Sequence, residues 1–259
     1  MNPRADTLTT APDGRSVLRM ERRVGHPPER VWAALTRPEH LKHWFPSEPP
    51  GEVTDAEAPR LFAFAWGGGH LRWEVAPDPG TGGALLTLTH TFDDRFGAPS
   101  FGAGWHLCVS ALGEHLDGVA EPARTPDTGE LHEAYLEQFD LGGGEITADG
   151  TVRFERQLVR PADVVWAALT EGDVVLQGSE APEGIVADGI PAGEVTEVRV
   201  PETVTYEVAG GGEVSIRLAP GTGYGARLLL THVGSGDPAA ARTAWHARVE
   251  RLAGRLLER

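Results

Sequence analysis

Cysteine is almost missing from this 259-residue chain; Cys108 is the single one. That excludes an internal disulfide and any thiolate-rich metal site. Cys108 falls inside a helical pattern and reads as a small buried hydrophobe rather than a reactive thiol. Long apolar runs are missing too, and nothing approaches the roughly 20 residues that span a bilayer. The first residues, MNPRADTLTTAPDGRS, lack the apolar core of a signal peptide. They read as a disordered leader over 1–15, and the cytosol is the default compartment. Positive charge is scarce: 23 Lys and Arg stand against 38 Asp and Glu, a formal net charge of −15. Such a surface repels nucleic-acid phosphates and anionic lipids. Neither G-x-x-x-x-G-K-[ST] nor G-x-G-x-x-G opening a helix occurs, so nucleotide cofactors are not expected. No G-x-S-x-G elbow is present.

What the chain does contain is a repeat. RMERRVGHPPERVWAALT at 19–36 and RFERQLVRPADVVWAALT at 153–170 share ten of eighteen positions. GEVTDAEAP (51–59) then pairs with GEVTEVRVP (193–201), and GALLTLTH (83–90) with GARLLLTH (225–232). Trp105-His106 finally pairs with Trp245-His246. The order is preserved while loop lengths drift, which is the mark of duplication. High glycine and proline, with arginine far outnumbering lysine, fit a GC-rich bacterial genome.

Each copy has one layout. A strand precedes Pro27-Pro28, and proline suits the first helical turn, whose N–H groups need no partner. A short helix, a second turn to Trp44 and three alternating strands follow: Leu61–Trp66, Leu71–Val75 and Leu85–Phe92. Phe101, Trp105, Val109, Leu112 and Leu116 then form one apolar stripe of a long helix, matched by Ala241, Trp245, Val249, Leu252 and Leu256. This predicts two α+β domains, each an antiparallel sheet covered by a long C-terminal helix. The expected spans are 16–143, with a tail helix at 131–139, and 148–259, the two docking on each other. The linker falls within Asp117–Gly150.

The blocks from Pro27 to Phe45, the GEVT strand with its proline, the L-T-H strand end and the G-W-H helix resemble START-like, helix-grip proteins. The branch is the one named after the heat-shock-protein-90 ATPase activator homologue. The resemblance covers nearly the whole chain, twice, and implies a sheet curled around the long helix, often with a hydrophobic cavity. Members of the group include ligand carriers, polyketide aromatases and cyclases, and co-chaperone-like proteins. They usually carry a strand pair before the GEVT strand; copy one has only SEPP there and copy two the glycine-rich Glu171–Ala192, so both sheets are expected to be two strands short.

Trp44, Phe45, Phe62, Phe64, Trp66, Trp73 and Trp105 are candidates to line an apolar pocket in copy one, with His90 beside them; the other reading is plain core. Trp32 and Trp166 read as core. His90 and His232 repeat on the last strand, which fits either function or a duplicated structural hydrogen bond. His40 and His43 lack a carboxylate at a fixed offset, and no H-x-x-x-H occurs, so no metal is expected. If catalysis is present, His90 or Arg95 is the candidate for proton transfer in cyclase-type work. Three functions follow in order: non-catalytic binding of a lipid- or polyketide-like small molecule, a chaperone-linked or other protein-interaction module, and an aromatase or cyclase. No cofactor, nucleic acid or membrane insertion is expected. Copy two, poorer in aromatics, reads as the supporting half.

Overall fold

A computed structural model describes residues 6–45, 51–119, 128–223 and 225–258. The chain divides into two compact units, domain 1 (1–139) and domain 2 (140–259).

Domain 1 begins with a hairpin of β1 (Thr7–Thr10) and β2 (Ser16–Val24). Asp13-Gly14 makes the turn: Gly14 sits at φ +90, and the Arg15 N–H donates to the Asp13 carboxylate at 3.1 Å. An Asp-Gly pair between alternating segments is a strong hairpin signal, because the turn needs positive φ. The expected leader therefore does not hold for Thr7–Thr10, and Asp6 is buried. Next come α1 (Pro28–Thr36) and α2 (Pro38–Leu41), each with proline in its first turn. β3 (Val53–Glu57), β4 (Leu61–Trp66), β5 (Gly69–Asp78) and β6 (Gly83–Phe92) lead to α3 (Ala98–Asp117) and the tail helix α4 (Thr128–Gln138). The sheet is antiparallel, in the order β1-β2-β6-β5-β4-β3. Among the described residues four strands separate α2 from α3, and with β1 and β2 the sheet has six strands. Residues 46–50, which hold the SEPP connection, and 120–127, which hold part of the linker, lie outside the described residues.

Domain 2 repeats the plan. β7 (Glu145–Ile146), β8 (Val152–Gln157), α5 (Ala162–Leu169), β9 (Val195–Arg199), β10 (Thr203–Glu207), β11 (Glu213–Pro220), β12 (Ala226–Val233) and α6 (Pro238–Leu257) build a sheet in the order β7-β8-β12-β11-β10-β9. The β7–β8 turn again carries Asp-Gly, with Gly150 at φ +83. The expected spans 16–143 and 148–259 thus leave out β1 and β7. Asp237 caps α6, its carboxylate accepting from the Ala239 and Ala240 N–H groups at 3.1 Å.

In both domains the long helix covers the inner face of the sheet. Trp105, Val109, Leu112 and Leu116 are buried, as are Ala241, Trp245, Val249, Leu252 and Leu256. They meet the inward residues of β2, β5 and β6 (Leu18, Met20, Leu71, Trp73, Val75, Leu86 and Leu88) and their domain 2 counterparts. Removing each large apolar side chain from water contributes about 1.5–3 kcal/mol before conformational entropy is charged. These are two tandem helix-grip domains.

α4 packs against α3. A Cβ on Gly102 would lie 2.9 Å from the Tyr135 ring, so the helices approach through the missing side chain. Gly102→Ala is expected to push Tyr135 away and destabilise domain 1 by about 1–3 kcal/mol, as overpacking does. Urea unfolding of the full chain, followed by hydrogen exchange in α4, measures this; unchanged protection there would contradict the packing.

Candidate functional site

The alternation of β4 places Phe62, Phe64 and Trp66 on the inner face of the sheet, and that of β5 adds Trp73. The turn after α2 inserts Trp44 and Phe45 from above, and α3 supplies Trp105. The structure brings all of these together. The Phe45 ring lies 6.0 Å from Phe64, 6.3 Å from Trp66 and 5.9 Å from Trp105. Trp44 meets Trp73 edge-on at 5.5 Å, and Trp73 meets Trp105 at 5.8 Å. The Trp44 indole N–H donates to the Ala34 carbonyl at 2.9 Å, which fixes the turn to α1. Edge-to-face pairs of this kind add about 0.5–1.5 kcal/mol each beyond burial. Trp66 is half-buried and the other rings are buried. Trp32 is half-buried on the same side, 6.0 Å from Phe62, while Trp166 is buried in domain 2.

His90 closes the set. The Trp105 indole N–H donates to His90 Nδ1 at 3.2 Å, and Phe92 and Phe101 flank the imidazole at 4.7 Å each. An acceptor Nδ1 puts the ring proton on Nε2, in the neutral form. Burial, and secondarily the charge of His70, push the His90 pKa down to about 3. Domain 2 repeats the bond: Trp245 donates to His232 Nδ1 at 3.2 Å, and burial lowers that pKa also. Arg95 is exposed on the short turn before α3, and neither hydrogen bond nor ring contact joins it to His90. The two candidates for proton transfer are not assembled. Cys108 is half-buried, and burial raises its thiol to about 11, so it stays protonated near neutral pH.

The copies part company at the rim. Val53 and Ala56 of β3 lie opposite Phe64 and Phe62, on the inner face, and both are exposed. On β9 the matching Val195, opposite Tyr206, is fully buried. The connection before β9 is eight residues longer than that before β3, and it folds over the face: Ala181, Ile185 and Ala187 are buried there. The Tyr206 hydroxyl donates to the Ile185 carbonyl at 3.3 Å. Three arginines of α6 hold this plug. Arg248 donates to the Leu169 and Gly184 carbonyls, Arg251 pairs with Asp188 at 3.1 Å, and Arg255 pairs with Glu171 at 2.7 Å. At the same places α3 has Cys108, Ala111 and His115. Val175 of domain 2 is buried and Leu176 exposed, so the Trp44-Phe45 pair is not reproduced.

One buried charge escapes the sequence reading. Arg22, inward on β2, grips the Asp6 carboxylate through both terminal nitrogens at 2.6 Å. The Tyr135 hydroxyl donates to the same carboxylate at 2.6 Å and lies 3.2 Å from His106 Nδ1. Arg156 holds the equivalent strand position in domain 2 and pairs instead with Glu250 of α6. The available signal was the shared R-x-E-R at 19–22 and 153–156, whose last arginine falls in the inward register. Surface grooves among the described residues lie elsewhere, one of about 470 Å³ being at the turn of Gly210–Gly212. One of about 420 Å³ runs between β2 and the end of α3, past His26 and Asp117. One of about 610 Å³ sits at the start of α5, past Arg199 and Arg217. None of these is lined by the predicted aromatic residues.

The family model for Activator of Hsp90 ATPase homolog 1-like protein matches residues 25–50, the segment with α1, α2, Trp44 and Phe45. No curated protein matches the chain. Among solved structures, the conserved protein of unknown function EF2215 from Enterococcus faecalis is 19% identical, over 51% of this chain and 89% of that one, with a TM-score of 0.46. CalU16 from Micromonospora echinospora is 21% identical over 51% of this chain and 96% of that one, with a TM-score of 0.44. DynU16, of the dynemicin biosynthetic locus, is 17% identical over 93% of this chain and 97% of that one, with a TM-score of 0.38.

Losing the indole donor leaves a buried imidazole nitrogen unpaired, which costs about 1–3 kcal/mol. Trp105→Phe and Trp245→Phe are each expected to destabilise their own domain by at least that much, read by hydrogen exchange along β6 and β12. Because the His90 pKa is depressed, its share of stability is present above pH 6.5, the unfolded value, and lost as pH falls from there toward 3.

Proposed function

We propose that domain 1 binds an apolar small molecule, lipid- or polyketide-like, without transforming it. The ligand lies along the exposed inner face of β3, at Val53 and Ala56, beside half-buried Trp32 and over the buried Phe62 and Phe64. The observation that carries this reading is the difference between the copies: the same face is filled by Ala181, Ile185 and Ala187 in domain 2 and exposed at Val53 and Ala56 in domain 1. An apolar strand face beside aromatic rings favours a ligand without charge at its buried end, since burying an unpaired charge is costly. Half-buried Trp66 would bound the cleft at one end.

The candidates His90 and Arg95 are not joined, which favours carriage over chemistry. His90 is neutral and enclosed, and its ring nitrogen is committed to Trp105. Domain 2 then has the supporting role, its plug held by arginines that domain 1 lacks.

Native mass spectrometry of the full chain purified from cells, with displacement of a fluorescent fatty acid, tests the reading. Because Val53 and Ala56 are exposed, Val53→Glu and Ala56→Glu should leave the fold intact. Each is expected to weaken probe binding about tenfold or more, as a charge forced against an apolar ligand costs more than 1.4 kcal/mol. No co-purified species and no displaceable probe would overturn the proposal, and so would unchanged affinity in both variants.

A further inference from the structure

The three arginines that close domain 2 have a counterpart in domain 1 of a different kind. His115 stands where Arg255 stands in the repeat. Arg255 clamps Glu171 through a salt bridge at 2.7 Å. His115 instead meets two more histidines. His40 Nδ1 lies 2.9 Å from His115 Nε2, and the His43 ring stacks on His115 at 4.5 Å and 14°. His40 and His43 belong to α2 and the turn after it, the turn that inserts Trp44 and Phe45 among the aromatic rings. One side of this contact is therefore the end of α3, and the other is the element beside the open rim.

We propose that His40, His43 and His115 are a proton-operated latch: neutral rings hold α2 and the Trp44-Phe45 turn against α3, and loading more than one proton releases that turn. The inference rests on the binding role of domain 1 only for its purpose, which is to couple acidification to opening of the cleft.

Charge counting supports it. A hydrogen bond between two imidazoles needs one donor and one acceptor, so it tolerates one added proton and not two. Face-to-face stacking of two imidazolium rings adds like-charge repulsion. Arg30 of α1, donating to the Leu116 carbonyl at 2.6 Å, brings a fixed positive charge to the same end of α3. Asp117, which could offset it, is engaged by His26 at 2.7 Å. On α2, Glu39 and Lys42 are both exposed, one of each sign. Burial first, then His43, His40 and Arg30, lower the His115 pKa. The neutral latch is thus favoured above pH 6.5, the unfolded value, and its contribution is lost as pH falls below it. Among the described residues no three His, Cys, Asp or Glu side chains are placed to hold a metal ion. His43 lies flat on His115 rather than sharing a centre with it.

Fluorine NMR of the ligand-free full chain labelled with 5-fluorotryptophan provides the test, with Trp44 assigned through Trp44→Phe. Between about pH 7.5 and pH 5, which spans histidine titration, the Trp44 resonance is expected to shift or split while that of Trp245 in domain 2 holds still. In His115→Gln, and independently in His40→Gln, the Trp44 response is expected to vanish. A Trp44 resonance that stays constant in the natural chain would overturn the latch, as would the same titration in both glutamine variants. No ligand enters the measurement, so failure here leaves the binding proposal standing, and failure of probe binding leaves this result readable.

Discussion

Each domain depends on one contact: the indole N–H of the long helix on the imidazole of the last strand. A sheet with one apolar face must be covered, and a single 20-residue helix does it here. Apolar packing brings the helix down but is indifferent to a slide by one turn. The Trp105–His90 and Trp245–His232 bonds remove that freedom, because a slide would strand a buried donor and a buried acceptor together. That His90 and His232 are neutral follows from the same fact, since an imidazolium could not accept the bond. A residue type associated with catalysis is used twice as a register pin.

With the helix pinned, the copies were free to differ at the rim. Domain 2 spends its longer connection on filling the space over β9 and β10 and fixes it with arginines from α6. Domain 1 has the shorter connection, keeps Trp44 and Phe45 in the turn, and leaves β3 bare on its inner side. At the places of these arginines domain 1 has Cys108, Ala111 and His115, where a cation with nothing to clamp would sit against apolar surface. The histidine at the third position keeps a polar contact with α2 while giving up a permanent charge.

Most of the architecture could be read from the chain. The two stripes, the alternation of β4 and β5 and the prolines at helix starts are local signals, and the duplication tested each against its partner. The short hairpin strands escaped because β1 and β7 are polar and exposed; the Asp-Gly turns were their one mark. Phe62, Phe64, Trp66 and Trp73 share a face because side chains alternate along β4 and β5 and cross-strand neighbours point the same way. What sequence could not supply was which faces stay open. That depends on whether a connection folds back, and residues 171–192, rich in glycine and without periodicity, give no sign that Ile185 becomes core. The Asp6–Arg22–Tyr135 cluster joins residues far apart in the chain, and nothing short of the fold brings them together. Cavity or core is decided at the same level: identical aromatic letters serve either.

That cluster also sets the physical extent of domain 1. Its buried guanidinium draws a carboxylate from before the first strand and a phenol from the last helix, so both ends of the domain close on one inward-facing cation. Trimming the first segment removes the neutralising carboxylate, and trimming the last removes a hydroxyl that donates to it. The polar segments flanking the sheet, which resemble dispensable tails by composition, are tied through Asp6 and Tyr135 to this buried guanidinium.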